Sequence, residues 1–235
     1  MIHRVDGPLA VYRGFDDGTD RKIWTVSREL ADATIFQSQY SLAKHRELGF
    51  DFANPSVIPN AADPEIFHPQ ERIPFSDTRK IKLISVSWSD NVNKGAPVYQ
   101  WLDDHLDWGR YEYTFVGRSP VRFRNINMSS PITSEELAKK LRQHDIFITG
   151  SSNDPCSNSL IEALSCGLPA LYLNSGGHPE IVGQAGLSFE SAEEIPALLD
   201  RLILEYDSRQ VCIVLPSIAA TADRYLKILL GKLEV

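Results

Sequence analysis

Two acids eight positions apart, Asp154 and Glu162, flank the stretch Pro-Cys-Ser-Asn-Ser-Leu-Ile. Ser157, Asn158 and Ser159 are helix N-cap types, Gly167 suits a left-handed residue after a helix, and Pro169 forbids continuation, so a short helix is predicted over 159–166. The unpaired N–H groups of its first turn and the positive end of its dipole suit a phosphate or pyrophosphate, with the amides near Asn158, Ser159 and Leu160 as donors. Glu162 is expected in that first turn. There its carboxylate would repel a phosphate placed beside it but can accept two hydrogen bonds from a neighbouring diol, for which a ribose is the natural candidate. Asp154, on the preceding loop, would address a sugar on the other side of a diphosphate. A plainer reading also stands: Asp154 is the turn residue before Pro155, and Glu162 is an acid favoured by the helix dipole.

The elements that must position these groups follow from the apolar pattern. Continuous apolar, β-branched or aromatic runs occur at 81–86, 113–116, 146–149 and 170–173, with a weaker one at 187–189. Helical patterns lie between them at 96–106, 134–143, 159–166, 179–182 and 192–206. Strands that read as unbroken apolar runs are buried on both faces, which predicts an α/β domain with a doubly wound, Rossmann-like parallel sheet. Ligands of such sheets bind at the carboxyl ends of the strands, so the loops after Val86, Val116, Thr149 and Leu173 are the ones to watch. Upstream, 33–37 and 56–59 read as strands, 40–48 as a helix, and the polar, proline-bearing stretch 70–80 as a linker.

The chain has 235 residues, 43 % of them apolar, and a net charge of −7. Duplex nucleic acid is excluded as a partner, because holding many phosphates needs a basic face. Three cysteines without Cys-x-x-Cys spacing or a His/Cys cluster make neither a disulfide scaffold nor a metal site, so a reducing cytoplasm is expected. No run approaches the roughly 18–20 apolar residues that cross a bilayer. No Gly-x-Gly-x-x-Gly is present, which disfavours a dinucleotide-dependent dehydrogenase.

The segment from Asp154 through Glu162, Gly167-Leu168-Pro169 and Gly176-Gly177-His178-Pro179-Glu180 resembles the Glu-x7-Glu, Glu-Ala-x-x-x-Gly-x-Pro and Gly-Gly-x-x-Glu blocks of GT-B glycosyltransferases, especially family 4 (group 1), with Asp154 standing for the first Glu. Upstream, Val57-Ile58-Pro59-Asn60-Ala61-Ala62-Asp63 resembles the strand and loop before that family's hinge, and 31–38 resembles its "Ala-Asp, then a strand ending in Ser" segment. The resemblance implies a partial N-terminal acceptor-side domain over 1–69, about half the usual one. A linker over 70–80, a C-terminal nucleotide-sugar-binding domain over 81–215 and a C-terminal helix over 216–235 crossing back would follow.

It also implies roles. Lys94 and Gly95 match the end of the family's Gly-Arg-x5-Lys-Gly phosphate loop, while Trp88 stands where the arginine is expected. Losing a guanidinium removes a bidentate phosphate partner. Ser87 and Ser89 would supply neutral hydrogen bonds, Arg118 charge or stacking, and the backbone at Ile132 a contact to the base. Asp154 would orient the donor hexose and Glu162 hold the ribose, with Asn158, Ser159 and Leu160 at the diphosphate. Asp6 and His3 are weaker candidates for sugar or acceptor contact, and Tyr12-Arg13-Gly14 with Asp20 is expected on a loop near the acceptor. The implied activity is metal-independent transfer of a hexose with retention from a UDP-linked donor, requiring no cofactor. The acceptor would be a saccharide or a lipid-linked saccharide in cell-surface or exopolysaccharide synthesis, with peripheral association at the inner face of the plasma membrane. The competing reading is a sugar-nucleotide-binding module that needs a partner chain.

Overall fold

The computed structural model describes residues 1–231. The smaller region runs β1 (Ile2–Val5), α1 (Leu9–Arg13), α2 (Thr19–Leu30), β2 (Ala33–Phe36), α3 (Gln39–Glu47) and β3 (Pro55–Val57). Its three strands are parallel in the order β1-β2-β3, with Val5 opposite Phe36 and Phe36 opposite Val57. β2 is buried at all four positions, and its core is one small cluster of Val5, Phe36, Leu42, Phe50 and Phe52.

Residues 12–14 and 20, expected on a loop, are instead at the end of α1 and the start of α2. Asp20 is buried because its carboxylate accepts from the Leu9 and Ala10 amides, both at 2.8 Å, capping α1 in place of a side chain at that helix's own N-cap. It is a structural acid and is not available to an acceptor.

The larger region continues β4 (Ile81–Ser87), α4 (Ala96–His105), β5 (Tyr111–Gly117), β6 (Asn127–Ser129), α5 (Ser134–Arg142), β7 (Ile146–Thr149), α6 (Asn158–Ser165), β8 (Ala170–Leu173), α7 (His178–Val182), β9 (Gly186–Phe189), α8 (Ile195–Leu204), α9 (Tyr206–Val211) and α10 (Ile218–Leu229). All six strands are parallel in the order β6-β5-β4-β7-β8-β9. Side chains alternate across the sheet, so Leu83, Phe115 and Ile148 enter one apolar layer while Ile84, Val116 and Phe147 enter the other. The chain starts in the middle of the sheet, winds outward to β6, then returns past β4 to β7. The loops after β4 and β7 therefore diverge at the switch point, where such sheets bind ligands.

The segment 70–80 is fastened rather than free. Arg79 makes a two-pronged pair with buried Asp145 at 2.7 and 2.8 Å, and Phe75 stacks on Tyr206 at 3.8 Å. α10 returns to the smaller region, where Arg224 donates to the Val57 carbonyl at 2.7 Å. Residues 232–235, the end of the expected C-terminal helix, lie outside the described residues. Among the described residues no helix is long and apolar enough to cross a membrane.

Candidate functional site

The loops after β4 and β7 touch through their backbones. Gly95 has φ +94, and a Cβ there would lie 2.7 Å from the Gly150 carbonyl carbon, so only glycine allows this approach. The contact brings together two residues sixty positions apart: Lys94 Nζ donates to Asp154 Oδ2 at 2.8 Å, with side-chain exposures of 30 % and 9 %. Burial disfavours the Lys94 charge, but the Asp154 carboxylate outweighs it and holds the amine above its ordinary range. Asp154 also accepts from the Cys156 amide at 3.2 Å and from Ser151 Oγ at 3.4 Å. A second loop locks it from behind. Gly176, at φ +66, packs so that a Cβ would meet the Asp154 carbonyl at 2.2 Å, and the Gly177 amide donates to that oxygen at 2.9 Å. The glycine pair thus serves close approach to protein backbone.

α6 begins at Asn158, one residue earlier than its pattern suggests, with Ser157 in extended conformation before it. Ser157 does not cap the helix; its hydroxyl lies 3.2 Å from Ser159 Oγ. The first helical closure is Ile161 N–H to the Ser157 carbonyl, and the amides of Asn158, Ser159 and Leu160 have no acceptor among the described residues. Two of the three residues that carry these orphan donors, Asn158 and Ser159, line a cleft of 280 Å³ whose walls also include Trp88, Lys94, Asp154 and Glu162. A helix end left open to a cleft, with a lysine beside it, can receive an anion.

The earlier helix start corrects the placement of Glu162. It is the fifth helical residue, in the second turn, and the first turn of α6 carries no acid. That removes the like-charge conflict with a phosphate at the helix end. Burial alone pushes its carboxyl up to about 7, with no ion-pair partner among the described residues.

The remaining expected residues divide. Ser87 and Ser89 line the cleft but shape their own loop: Ser87 Oγ donates to the Ser89 carbonyl at 2.7 Å, and Ser89 Oγ accepts from the Asn91 amide at 3.1 Å. Trp88 is about half exposed in the cleft wall. Arg118 and Ile132 do not line the cleft. Arg118 points its Nη1 at the Trp88 carbonyl, 3.5 Å away, and Ile132 packs against an apolar layer. Asp6 is exposed, bonded by Gln37 Nε2, and not in the cleft wall, while His3 lies within β1. Cys156 and Cys166 are buried, and burial pushes both thiols up to about 11, so they are packing residues.

The sequence places Glu180 and Asn60 in family-like blocks but gives no sign that they join the two regions beside this site. The Glu180 carboxylate accepts from the Gln39 and Tyr40 amides at 2.8 and 2.7 Å, capping α3 from the larger region. Tyr40 Oη donates to Asn153 Oδ1 at 2.9 Å, and Asn60 Nδ2 to Asn158 Oδ1 at 2.7 Å. For Asn153 the local signal was its residue type, which tolerates the left-handed backbone it adopts at φ 55.

Residues 124–214 match the family model described as glycosyl transferases group 1. At the level of sequence, no curated protein matches the chain. Among solved structures, sucrose-phosphate synthase from Thermosynechococcus elongatus superposes with a TM-score of 0.74 at 17 % identity, covering 98 % of this chain and 67 % of that one. Anabaena HepE in complex with UDP and glucose gives 0.74 at 14 %, covering 99 % and 71 %. A glycosyltransferase from Rickettsia africae gives 0.70 at 13 %, covering 99 % and 70 %. The chain therefore spans about two thirds of the length of these structures. The superpositions show that the chain has the GT-B fold, and residues 124–214, which carry α6, match the group 1 glycosyltransferase family model.

Proposed function

We propose that the cleft binds a nucleoside-diphosphate sugar and that the chain transfers its hexose, with retention and without a metal, to a saccharide or lipid-linked saccharide. The observation that carries this reading is the open N-terminus of α6, whose first two residues, Asn158 and Ser159, have unpaired amides and line the same space as Lys94. The diphosphate lies at that end, where dipole and amine stabilise the leaving group as its charge develops. Glu162, one turn further in, accepts from the ribose hydroxyls, and Asp154 orients the donor sugar. Glycosyl transfer needs an acceptor hydroxyl held against the anomeric carbon, so positioning and electrostatics supply most of the rate. A UDP-linked donor is the choice favoured by a likeness to a structure that holds UDP and glucose. Polysaccharide synthesis at the cytoplasmic face of a membrane is the setting this chemistry suits.

A second reading, a sugar-nucleotide-binding module with little turnover, is favoured by one observation: Trp88 occupies the expected arginine position while Lys94 is already paired with Asp154. Incubating the protein with UDP-glucose and a panel of saccharide acceptors, and following UDP release, separates the two. Release that rises with a particular acceptor supports the transferase; saturable UDP-glucose binding with no release under any acceptor supports the module. No binding of UDP or UDP-glucose at all overturns both.

A further inference from the structure

We propose that Arg4, from the smaller region, is the second cation of the phosphate site and takes up the task left by Trp88. The proposal rests on the nucleotide-sugar reading above.

The charge balance of the cleft calls for such a group. Lys94 is compensated by Asp154 at 2.8 Å, Trp88 is neutral, and Arg118 is not in the wall. Glu162 adds negative charge wherever it is ionised. A diphosphate brings two or more negative charges, and the three α6 amides supply only partial positive ones.

Arg4 sits near the carboxyl end of β1, and its side chain reaches the start of α6 through one residue. Arg4 Nη2 donates to Asn60 Oδ1 at 2.9 Å, and Asn60 Nδ2 donates to Asn158 Oδ1 at 2.7 Å. Asn158 is the first residue of α6 and carries one of the orphan amides. Arg4 lines a cavity of 540 Å³ together with Asn60, Asn158 and Glu162, and the last two also line the cleft that holds Lys94. The two spaces therefore meet at the helix end, with Arg4 on one side and Lys94 on the other.

The guanidinium is also only loosely held by its own region. Its nearest carboxylate is Asp6 at 3.9 Å, and that carboxylate is already bonded by Gln37 Nε2. With five N–H donors and one used on Asn60, Arg4 keeps a fork suited to phosphate oxygens. Its side chain is 44 % exposed, so it can turn toward a ligand without losing a buried partner. The arrangement makes anion binding depend on both regions, because the cation comes from β1 and the amides come from α6.

The test compares UDP with uridine, which shares the base and ribose but lacks phosphate. Both are titrated by NMR shift and calorimetry into the wild type, Arg4→Gln, Arg4→Lys and Arg118→Gln, with melting curves for each. Loss of a charge-assisted contact predicts that Arg4→Gln weakens UDP about tenfold and leaves uridine unchanged. Arg4→Lys should fall between, keeping the charge but not the fork, and Arg118→Gln should bind like wild type. If Arg4→Gln weakens both ligands equally, or weakens neither, the proposal is overturned. It is also overturned if Arg118→Gln alone lowers UDP affinity. Should the wild type itself fail to prefer UDP over uridine, the phosphate site at α6 is wrong and the nucleotide-sugar reading fails first.

Discussion

The six-stranded and three-stranded regions spend their polar groups differently. In the larger sheet two apolar layers cover both faces, and that packing holds the strand-end loops in place. The helix end at α6 can therefore stay uncapped. The smaller sheet has one modest cluster, so its polar side chains are consumed in holding it together: Asp20 caps α1, Ser38 caps α3, and Ser27 and Thr34 bond each other in the interior. A region with surplus apolar burial can leave donors free for a ligand, while a region without it needs them for itself. Arg4, Tyr40 and Asn60 are among the exceptions in the smaller region: Tyr40 and Asn60 bond the larger region, and Arg4 shares a cavity with it.

Substitutions can break or sharpen that contrast. The largest effect is expected from Lys94→Ala, which strands a nearly buried carboxylate and should cost about 3 kcal/mol of global stability by chemical denaturation. Adding Asp154→Asn should return most of the loss while UDP binding stays impaired, showing that the pair is dispensable for folding but not for the anion. If the double variant binds UDP like wild type, Lys94 is structural only.

Asp20→Ala should cost about 2 kcal/mol by leaving two amides without an acceptor. Hydrogen exchange should rise in α1 and leave β4 and β7 protected; acceleration across both sheets would mean that the regions unfold as one.

Glu162→Gln follows. The folded carboxyl is raised to about 7 by burial, so the folded state binds a proton more tightly than the unfolded state, and Glu162 lowers stability as pH rises from its unfolded value through 7. The variant should melt like wild type at pH 5 and be more stable at pH 8 by about 1–2 kcal/mol. Uridine affinity of the wild type should increase from pH 6 to pH 8 as the carboxylate forms and accepts more strongly from the ribose, and in the variant that rise should disappear. A pH-independent stability difference would remove the burial argument. The smallest effect is expected from Glu180→Gln, about 1 kcal/mol or less, because the cap on α3 is solvent-exposed. Scattering should nevertheless report a wider separation of the two regions, and an unchanged profile would show that other contacts hold the cleft.

The same contrast explains what could be read in advance. β7 and β8 match their predicted spans because Ile146–Thr149 and Ala170–Leu173 are unbroken apolar runs, which little but a buried strand explains. α2 escaped because Thr-Asp-Arg-Lys-Ile-Trp-Thr-Val-Ser-Arg-Glu-Leu is mostly polar and buries only Asp20 and Ser27 fully. β6 escaped because it is a three-residue edge strand exposed at Asn127 and Met128. At the site, the helix-end chemistry was visible in Ser157 to Ser159. The pairing of Lys94 with Asp154 and the reach of Arg4 toward Asn158 were not, since they depend on strand order and not on local spacing. Glu162 was found, but a one-residue error in the helix start put it in the wrong turn.

The bare contact between Gly95 and Gly150 sets the dimensions of the site. Main chain rests on main chain there, so the approach of the two loops that carry Lys94 and Asp154 follows from the backbone. A neighbour as different from arginine as Trp88 can then be installed without stretching that frame, and new specificity becomes reachable through single exchanges along the rim.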